Sequence, residues 1–246
     1  MDGSAVKWLR SGKVAHLEFS RPAKRNALRL SDWVALSAAL DAIRKAEVQS
    51  LVIGSAVPDI FCAGSDLGEV EALAAQPEDA VPFAAIMAQV MRQLSKGPTV
   101  TIAAISGACH GAGVAIAMAC DIRIASPSAT FSIPPAKFGF SYPTGDVRRL
   151  VELVGIGQAA RLLYSAETLD ATEAKNIGLI EVVDTDATGA ARALAGKIAE
   201  NSVDSIALLK SVLVQSELGP DCDHQFLAGF RSADFLSFVN RKRRQD

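Results

Sequence analysis

The sequence is poor in cysteine and histidine. Its 246 residues include four cysteines and three histidines. The cysteines form no C-x-x-C motif and do not cluster with histidine, so a metal site built from these residues is not expected. Scattered cysteines in a domain of this size are typical of a cytoplasmic protein whose thiols stay reduced. We therefore predict a cytoplasmic location and no bound metal.

An excess of charge and a long apolar run are also missing. Lys and Arg number 25, Asp and Glu number 27, and the formal net charge is −2. A dedicated nucleic-acid-binding protein usually carries a strong basic excess. The longest apolar stretches are interrupted well before the roughly 20 residues that span a bilayer, and residues 1–10 lack the apolar segment of a secretion signal. The predicted partners therefore include neither nucleic acid nor a membrane.

The sequence does contain enough apolar residues for one large core, since half of its residues are hydrophobic. Buried-type strands are predicted at Ser50–Gly54 and Val100–Ile105, and each is followed by a glycine-bearing turn and a helix. Strands alternate with helices through the first two thirds of the chain, and the last third is helical. This order predicts the α/β fold class.

The two glycine-bearing turns, Phe61–Leu67 and Gly107–Gly113, are the candidate functional elements. A helix start leaves several N–H groups unpaired, and these groups favour a partial negative charge. Two such turns side by side could direct two N–H donors at one oxyanion. The alternative is ordinary strand-to-helix turns, with Asp66 as a helix N-cap. Neither turn has the glycine spacing of a P-loop or a dinucleotide-binding fingerprint.

The two turns also resemble the signatures of a known family. The sequence FCAGSDL at Phe61–Leu67 resembles the F-x-A-G-x-D-[LI] signature of the enoyl-CoA hydratase/isomerase, or crotonase, superfamily. Gly107–Gly113 followed by Ala119–Ala125 resembles the second signature. Further matching pieces extend from about residue 6 to residue 184, with a weaker echo at Phe238–Arg243.

The resemblance implies a fold and a ligand. The fold is a crotonase-like spiral of ββα units over residues 1–184, with a helical C-terminal trimerisation region over residues 185–246. The implied assembly is a homotrimer or a dimer of trimers. The implied substrate is an acyl-CoA thioester, so coenzyme A enters as part of the substrate and no separate cofactor is expected.

The resemblance also assigns residues. The N–H groups of Ser65 and Ala112 would form the oxyanion hole, and the side chains there are free to vary because backbone atoms donate. Contacts to CoA would come from the first turn and from two basic segments; they are Ala23, Lys24, Arg25, Asp66, Leu67 and Arg241. Without the resemblance, a solvated charged loop is an equally good interpretation of Lys24 and Arg25. A basic tail is an equally good interpretation of Arg241.

The usual acid/base carboxylates of the family are absent. The two hydratase glutamates map to Ala115 and Pro135, and an acidic position of isomerase-like members maps to Pro143. A two-glutamate hydration mechanism is therefore not expected. Tyr142 matches a tyrosine of decarboxylase-like members that act on malonyl-type thioesters, and the alternative for it is a core aromatic with a satisfied hydroxyl. Asp146 is predicted to cap a helix over Val147–Val154, with a position in the pocket as the alternative.

The leading hypothesis is an enzyme of the enoyl-CoA hydratase/isomerase type that stabilises a thioester enolate, with Ser65, Ala112 and Tyr142 as its catalytic residues. The first alternative is a malonyl-type acyl-CoA decarboxylase or another reaction of this superfamily. The second alternative is a catalytically weak acyl-CoA-binding homologue.

Overall fold

Two β-sheets form the frame of the molecule. The computed structural model describes residues 5–214, Leu227 and residues 229–242. The strands are β1 Val6–Ser11, β2 Val14–Phe19, β3 Ser50–Ser55, β4 Ile60–Cys62, β5 Val100–Ile105, β6 Ala108–His110, β7 Ile122–Ala125, β8 Thr130–Ser132, β9 Thr168–Asp170 and β10 Val182–Val183. The helices are α1 Leu30–Lys45, α2 Leu67–Ala75, α3 Ala80–Lys96, α4 Ala112–Ala119, α5 Thr144–Ser165, α6 Ala171–Asn176, α7 Ala187–Ala199, α8 Val203–Leu213 and α9 Ala233–Lys242.

The large sheet has the order β1-β2-β3-β5-β7-β10. Its first two strands pair antiparallel, and all the following pairs are parallel. The small sheet has the order β4-β6-β8-β9. Each of the central large-sheet strands β3, β5 and β7 is followed by a short strand of the small sheet and then by a helix, which is the predicted succession of ββα units.

The large sheet is covered on both faces, which explains why its central strands are apolar throughout. One face packs into the main core, through side chains such as Ile53 and Ile105. On the other face, Val52, Ile102 and Ile124 pack against alanines of α7 at helical spacing. The predicted boundary at residue 184 stays a prediction, and α7 lies directly against the sheet on the C-terminal side of that boundary.

The start of α5 differs from the prediction. The helix begins at Thr144 with Pro143 as its N-cap, so Asp146 is the third helical residue and makes no cap hydrogen bond. The predicted capping role of Asp146 is therefore wrong. Gly155, at φ 75° and ψ 159°, bends the helix further along.

The C-terminal region is helical where it is described. Lys210 of α8 is 6% exposed, and its ammonium group donates to Asp121 at 2.7 Å, Thr99 O at 2.7 Å and Leu94 O at 3.1 Å. This ion pair fixes α8 beside the first residues of β5. The predicted helix from Asp221 begins outside the described residues. Within the described ranges, no helix is long and apolar enough to cross a membrane.

Candidate functional site

The first turn holds the N–H group of Ser65 free of backbone partners. Leu28 forms a parallel bridge with Ser65, in which Leu28 N donates to Gly64 O at 2.8 Å and Asp66 N donates to Leu28 O at 2.9 Å. The N–H of the bridged residue points to the opposite side in such a pair. Among the described residues, no acceptor engages the N–H of Ser65, and Ser65 lines the cleft described below.

The second turn presents the N–H group of Ala112 in the same way. Ala112 is the first residue of α4, so its N–H has no acceptor within the helix. The preceding residue, Gly111, has φ 50° and ψ −117°, a conformation that requires glycine. Its own N–H donates to Ser132 O at 2.9 Å, which fixes the turn to β8.

Glycines bring the two turns into contact. A Cβ atom on Gly64 would lie 3.6 Å from Ala112 N and 3.3 Å from His110 O. A Cβ atom on Gly113 would lie 2.6 Å from Cys62 O, so α4 packs directly against the strand that leads into the first turn. The N–H groups of Ser65 and Ala112 therefore belong to two backbone segments that lie side by side. Such a pair suits the developing negative charge on one oxygen atom.

Both turns line a cleft of about 2210 Å³ that extends between α3, α4 and α5. The CoA-contacting residues predicted from the first part of the chain, Ala23, Lys24 and Arg25, line the same cleft. Ala63 N donates to Arg25 O at 3.0 Å, so this segment is fastened to the first turn. Asp66 and Leu67 also line the cleft. The side chain of Arg241 lies outside the described residues, although its backbone belongs to α9.

Asp66 caps α2, as its position predicts. Its carboxylate accepts a hydrogen bond from Gly68 N at 3.0 Å and an ion-paired one from Arg21 at 2.8 Å. Partial burial opposes ionisation, but the Arg21 and Gly68 donors outweigh it and lower the pKa of Asp66 below its usual value. This carboxylate is thus held ionised for a structural purpose.

Asn26 is a positioning residue whose importance the sequence did not reveal. It is 1% exposed and has φ 56°, a conformation that Asn tolerates better than most residues. Its amide donates to Ser55 Oγ at 2.7 Å and to Phe61 O at 3.1 Å, and it accepts from Arg21 N at 2.8 Å. The amide thereby connects three parts of the chain. They are the cationic segment, residues 21–25, then β3, and the start of the first turn. In the sequence, Asn26 follows the basic residues directly and is one of the pieces that match the family pattern, with no role assigned to it.

Tyr142 is buried beside the second turn. Its hydroxyl donates to Gly111 O at 2.9 Å, and burial, together with the nearby charge of Asp146, raises its pKa well above the usual range. This is the arrangement of a buried aromatic with a satisfied hydroxyl. Since Gly111 precedes Ala112, the hydrogen bond also steadies the backbone of the second donor.

His110 lines the cleft, and its ring is already within hydrogen-bonding distance of another side chain. Its Nε2 atom lies 3.2 Å from Thr130 Oγ1, and burial and the charge of Arg25 lower its pKa. Cys109 beside it is fully buried, and burial raises its pKa well above the usual value.

The comparisons with known proteins agree with this geometry. The sequence model of the enoyl-CoA hydratase/isomerase family matches residues 10–227. The chain belongs to the enoyl-CoA hydratase/isomerase family. This assignment confirms the predicted family and the prediction of an enzyme of the hydratase/isomerase type.

Two named relatives and one solved structure show how similar this chain is to other members of the family. A short-chain-enoyl-CoA hydratase of Clostridium acetobutylicum is 31% identical over 229 residues, which are 92% of this chain and 86% of the relative. The mitochondrial methylglutaconyl-CoA hydratase of mouse is 36% identical over 191 residues, or 73% of this chain, but the match spans only 60% of the mouse protein. The crystal structure of an enoyl-CoA hydratase from Bacillus anthracis has 26% sequence identity and a TM-score of 0.89, with 98% of this chain and 97% of that chain covered. The spiral α/β fold is therefore the fold of this family.

The three positions to which the resemblance assigns acid/base carboxylates, Ala115, Pro135 and Pro143, are all part of the cleft wall. Asp146 lines the same wall, which agrees with the alternative position predicted for it in the pocket. It is 8% exposed, and burial raises its pKa to about 6. No group of three or more His, Cys, Asp or Glu side chains suited to a metal is found within the described ranges.

Proposed function

We propose that this protein converts an acyl-CoA thioester through an enolate whose oxygen is held by the N–H groups of Ser65 and Ala112. The observation that supports the proposal most directly is the pair of unpaired backbone donors on two contacting turns. When a proton leaves the carbon next to a thioester, the carbonyl oxygen gains negative charge. Two preorganised donors stabilise that charge more than they stabilise the neutral carbonyl, which lowers the barrier.

The surroundings of the second donor strengthen the electrostatic argument. All eight residues of α4 are buried. The positive end of the helix dipole therefore acts at the N–H of Ala112 with little screening by water. Side chains contribute nothing to this stabilisation, so Ser65 and Ala112 serve as donors whatever their side-chain chemistry.

CoA would enter along the cationic segment. Lys24 and Arg25 line the cleft next to the first turn and carry the charges that suit phosphate groups. Leu67, which is 60% exposed, offers an apolar surface at the same rim. Since the thioester itself supplies the electron-accepting group, the proposed chemistry needs no separate cofactor.

The proposal is tested by removing one N–H group without changing a side-chain function. Ala112→Pro removes the donor at the first position of a helix, where proline is well tolerated. Ala112→Gly is the matched control, because it keeps the N–H. The assays are hydration of crotonyl-CoA, isomerisation of 3-butenoyl-CoA, decarboxylation of a malonyl-type thioester, and exchange of the α protons of butyryl-CoA in D2O.

We expect wild-type turnover in at least one assay, a loss of about 100-fold or more in kcat/KM for Ala112→Pro, and near wild-type activity for Ala112→Gly. Decarboxylation that is abolished by Tyr142→Phe would favour the decarboxylase. Tight binding of acyl-CoA with no turnover or exchange in any assay would contradict the proposal and favour a binding-only homologue.

We also propose that the chain assembles as a homotrimer or a dimer of trimers in the cytoplasm. Several large apolar side chains are strongly exposed in the single chain, among them Ile156 at 77%, Tyr164 at 83% and Leu213 at 85%. Apolar surface of this kind is typical of protein interfaces. Sedimentation equilibrium measures the mass directly, and a monomeric mass at micromolar concentration would contradict the proposed assembly.

A further inference from the structure

Among the residues that the structure describes, four carboxyl side chains line the cleft, and three of them are already engaged. Asp66 is held by Arg21 and the cap hydrogen bond described above. Asp121 accepts hydrogen bonds from Lys210 at 2.7 Å and from Thr101 N at 2.7 Å.

The third engaged carboxylate is Glu152, which lies on α5. It pairs with Arg149 at 3.2 Å, and its side chain is 60% exposed. Its pairing with Arg149 and its exposure are those of an ordinary surface ion pair, so this carboxylate is also engaged.

The fourth carboxyl group, Asp146, has a different environment. Its backbone N–H donates to Pro143 O at 2.9 Å, which fixes the first turn of α5. Its side chain is 8% exposed. Among the described residues, no hydrogen bond or ion pair engages its carboxyl oxygens. Burial without a compensating cation raises its pKa to about 6, so both protonation states are accessible near neutral pH.

This carboxyl group lies in the wall of the same cleft as the two proposed donors. The charge of Asp146 acts on the hydroxyl of Tyr142, and that hydroxyl donates to Gly111 O, one residue before Ala112. Asp146 therefore shares the cleft wall with the second turn. The neighbouring wall residues Ala115 and Pro143 have no side-chain atom that can transfer a proton.

We propose that Asp146 is the catalytic acid/base of this site, taking a proton from a carbon of the acyl group and returning it. The proposal rests on the thioester-enolate function argued above. In the forward step the carboxylate oxygen accepts the proton, the electron pair of the C–H bond forms the C=C bond of the enolate, and the carbonyl π electrons move to the oxygen held by Ser65 and Ala112. In the return step the neutral acid donates a proton, either the one removed or one exchanged with solvent, to the same carbon or to the γ carbon of an unsaturated chain, and the carbonyl is restored.

A single carboxyl group is sufficient for this chemistry because the group that removes a proton from carbon also delivers one. Solvent deuterium that replaces the proton on this group between the two steps appears at the α carbon in the exchange assay. Addition of water also requires a group that activates the water, which is why hydration commonly employs two acid/base groups. The geometry therefore favours exchange and double-bond migration over hydration, with β,γ-unsaturated thioesters as the substrate class.

The test compares two isosteric substitutions of cleft carboxylates. Asp146→Asn removes the proton-transferring group, and Glu152→Gln is the matched control on the same helix. We expect Asp146→Asn to lower the rate of α-proton exchange of butyryl-CoA, and of 3-butenoyl-CoA isomerisation, by about 100-fold or more. Binding of butyryl-CoA, measured by calorimetry, should change little. Glu152→Gln should keep the wild-type rates.

Chemical rescue separates a catalytic role from a structural one. In Asp146→Ala, added formate should restore part of the lost exchange rate, since the cleft is open to small anions and formate supplies the missing carboxyl group. Asp146→Glu should retain more activity than Asp146→Asn. If the wild type catalyses exchange or isomerisation and Asp146→Asn does so equally well, Asp146 is not the acid/base and the enolate function stands. If the wild type catalyses neither exchange nor any of the reactions, both proposals are overturned.

Discussion

A Cβ atom on Gly64 would lie 3.6 Å from the backbone nitrogen of Ala112, so a methyl group at residue 64 would sit against the second proposed donor. Gly64 also has φ 111°, a conformation that side-chain-bearing residues rarely adopt. The approach of the two turns thus depends on a residue that contributes no side chain to the cleft.

Substituting Gly64 should reduce both catalysis and stability. We expect Gly64→Ala to lower kcat/KM by about 100-fold or more and to destabilise the fold by about 1–3 kcal/mol. Alanine is strained at φ 111° and its Cβ would lie only 3.3 Å from His110 O, so the first turn must shift relative to the second. Gly12→Ala is the control, since Gly12 has φ 60° but open space around its Cα. Equal activity of the two variants would contradict the proposed geometry of the donors.

The pH dependence of stability should carry a contribution from Asp146. Its pKa in the folded state is about 6, above the ordinary value of 3.8. The folded state therefore binds the proton more tightly than the unfolded state, so this contribution to stability is present below about pH 4 and is lost as the pH rises to about 6. The shift corresponds to roughly 3 kcal/mol at most. Asp146→Asn should therefore be more stable than the wild type in urea unfolding at neutral pH, and this advantage should shrink as the pH falls towards 4. A pH-independent difference would argue against the buried, unpaired carboxyl group.

Removing the buried amide of Asn26 should loosen the cationic segment. Asn26→Ala removes the acceptor of Arg21 N and the donor to Ser55 Oγ and Phe61 O. It also places alanine at positive φ, so we expect the free energy of unfolding to fall by about 2–4 kcal/mol. KM for an acyl-CoA should rise in parallel. Asn201→Ala is the control, because Asn201 makes an exposed hydrogen bond to Lys197 O. Urea unfolding with wild-type stability for Asn26→Ala would contradict the role given to this amide.

The ion pair of Lys210 should be important for stability. Lys210→Met keeps the aliphatic stem but removes the donor to Asp121 and to two backbone carbonyls. We expect the free energy of unfolding to fall by about 3 kcal/mol, the usual result when one partner of a buried pair is removed. Lys197→Met, at an exposed position on α7, should change it by less than about 0.5 kcal/mol. A similarly small effect of Lys210→Met would mean that α8 is held by its apolar contacts alone.

Three cysteines should be unreactive in the native protein. Cys62, Cys109 and Cys120 are fully buried, and burial raises the pKa of Cys62 and of Cys120 to about 12. In a Cys222→Ser background, which removes a thiol outside the described residues, we expect no reaction with a thiol-specific disulfide reagent at about pH 8 until the chain unfolds. Rapid labelling of the folded protein would show that the core around the two turns opens locally.

The sequence was sufficient for the long elements and for the two turns. Strand β5 was predicted with its observed bounds, and the antiparallel pairing of β1 with β2 follows from a turn between two apolar segments. The short strands β4 and β6 overlap the two segments that the sequence predicts as turns. Each has three residues, too few for an alternating pattern to be visible, and each exists because the small sheet supplies its partners.

The environment of Asp146 could not be predicted from local sequence. Thr144 and Gly145 are weak helix formers after a proline, so the first turn of α5 was not expected to start there. Asp146 is buried in the region where α5 packs on α4, a helix that lies about 30 residues earlier in the chain. A carboxyl group next to proline and glycine has the local pattern of a cap, and only the tertiary contact shows that it is enclosed.

Because the proposed oxyanion donors belong to the main chain, they are inherited with the fold and not with any particular side chain. Substitutions at residues 65 and 112 leave the two N–H donors in place, whereas the proton-transferring group depends on a single side chain. The two halves of such a catalyst can therefore change independently during evolution. A descendant that loses its acid/base group still polarises a thioester, and it can acquire a new reaction by gaining one carboxyl group elsewhere on the cleft wall.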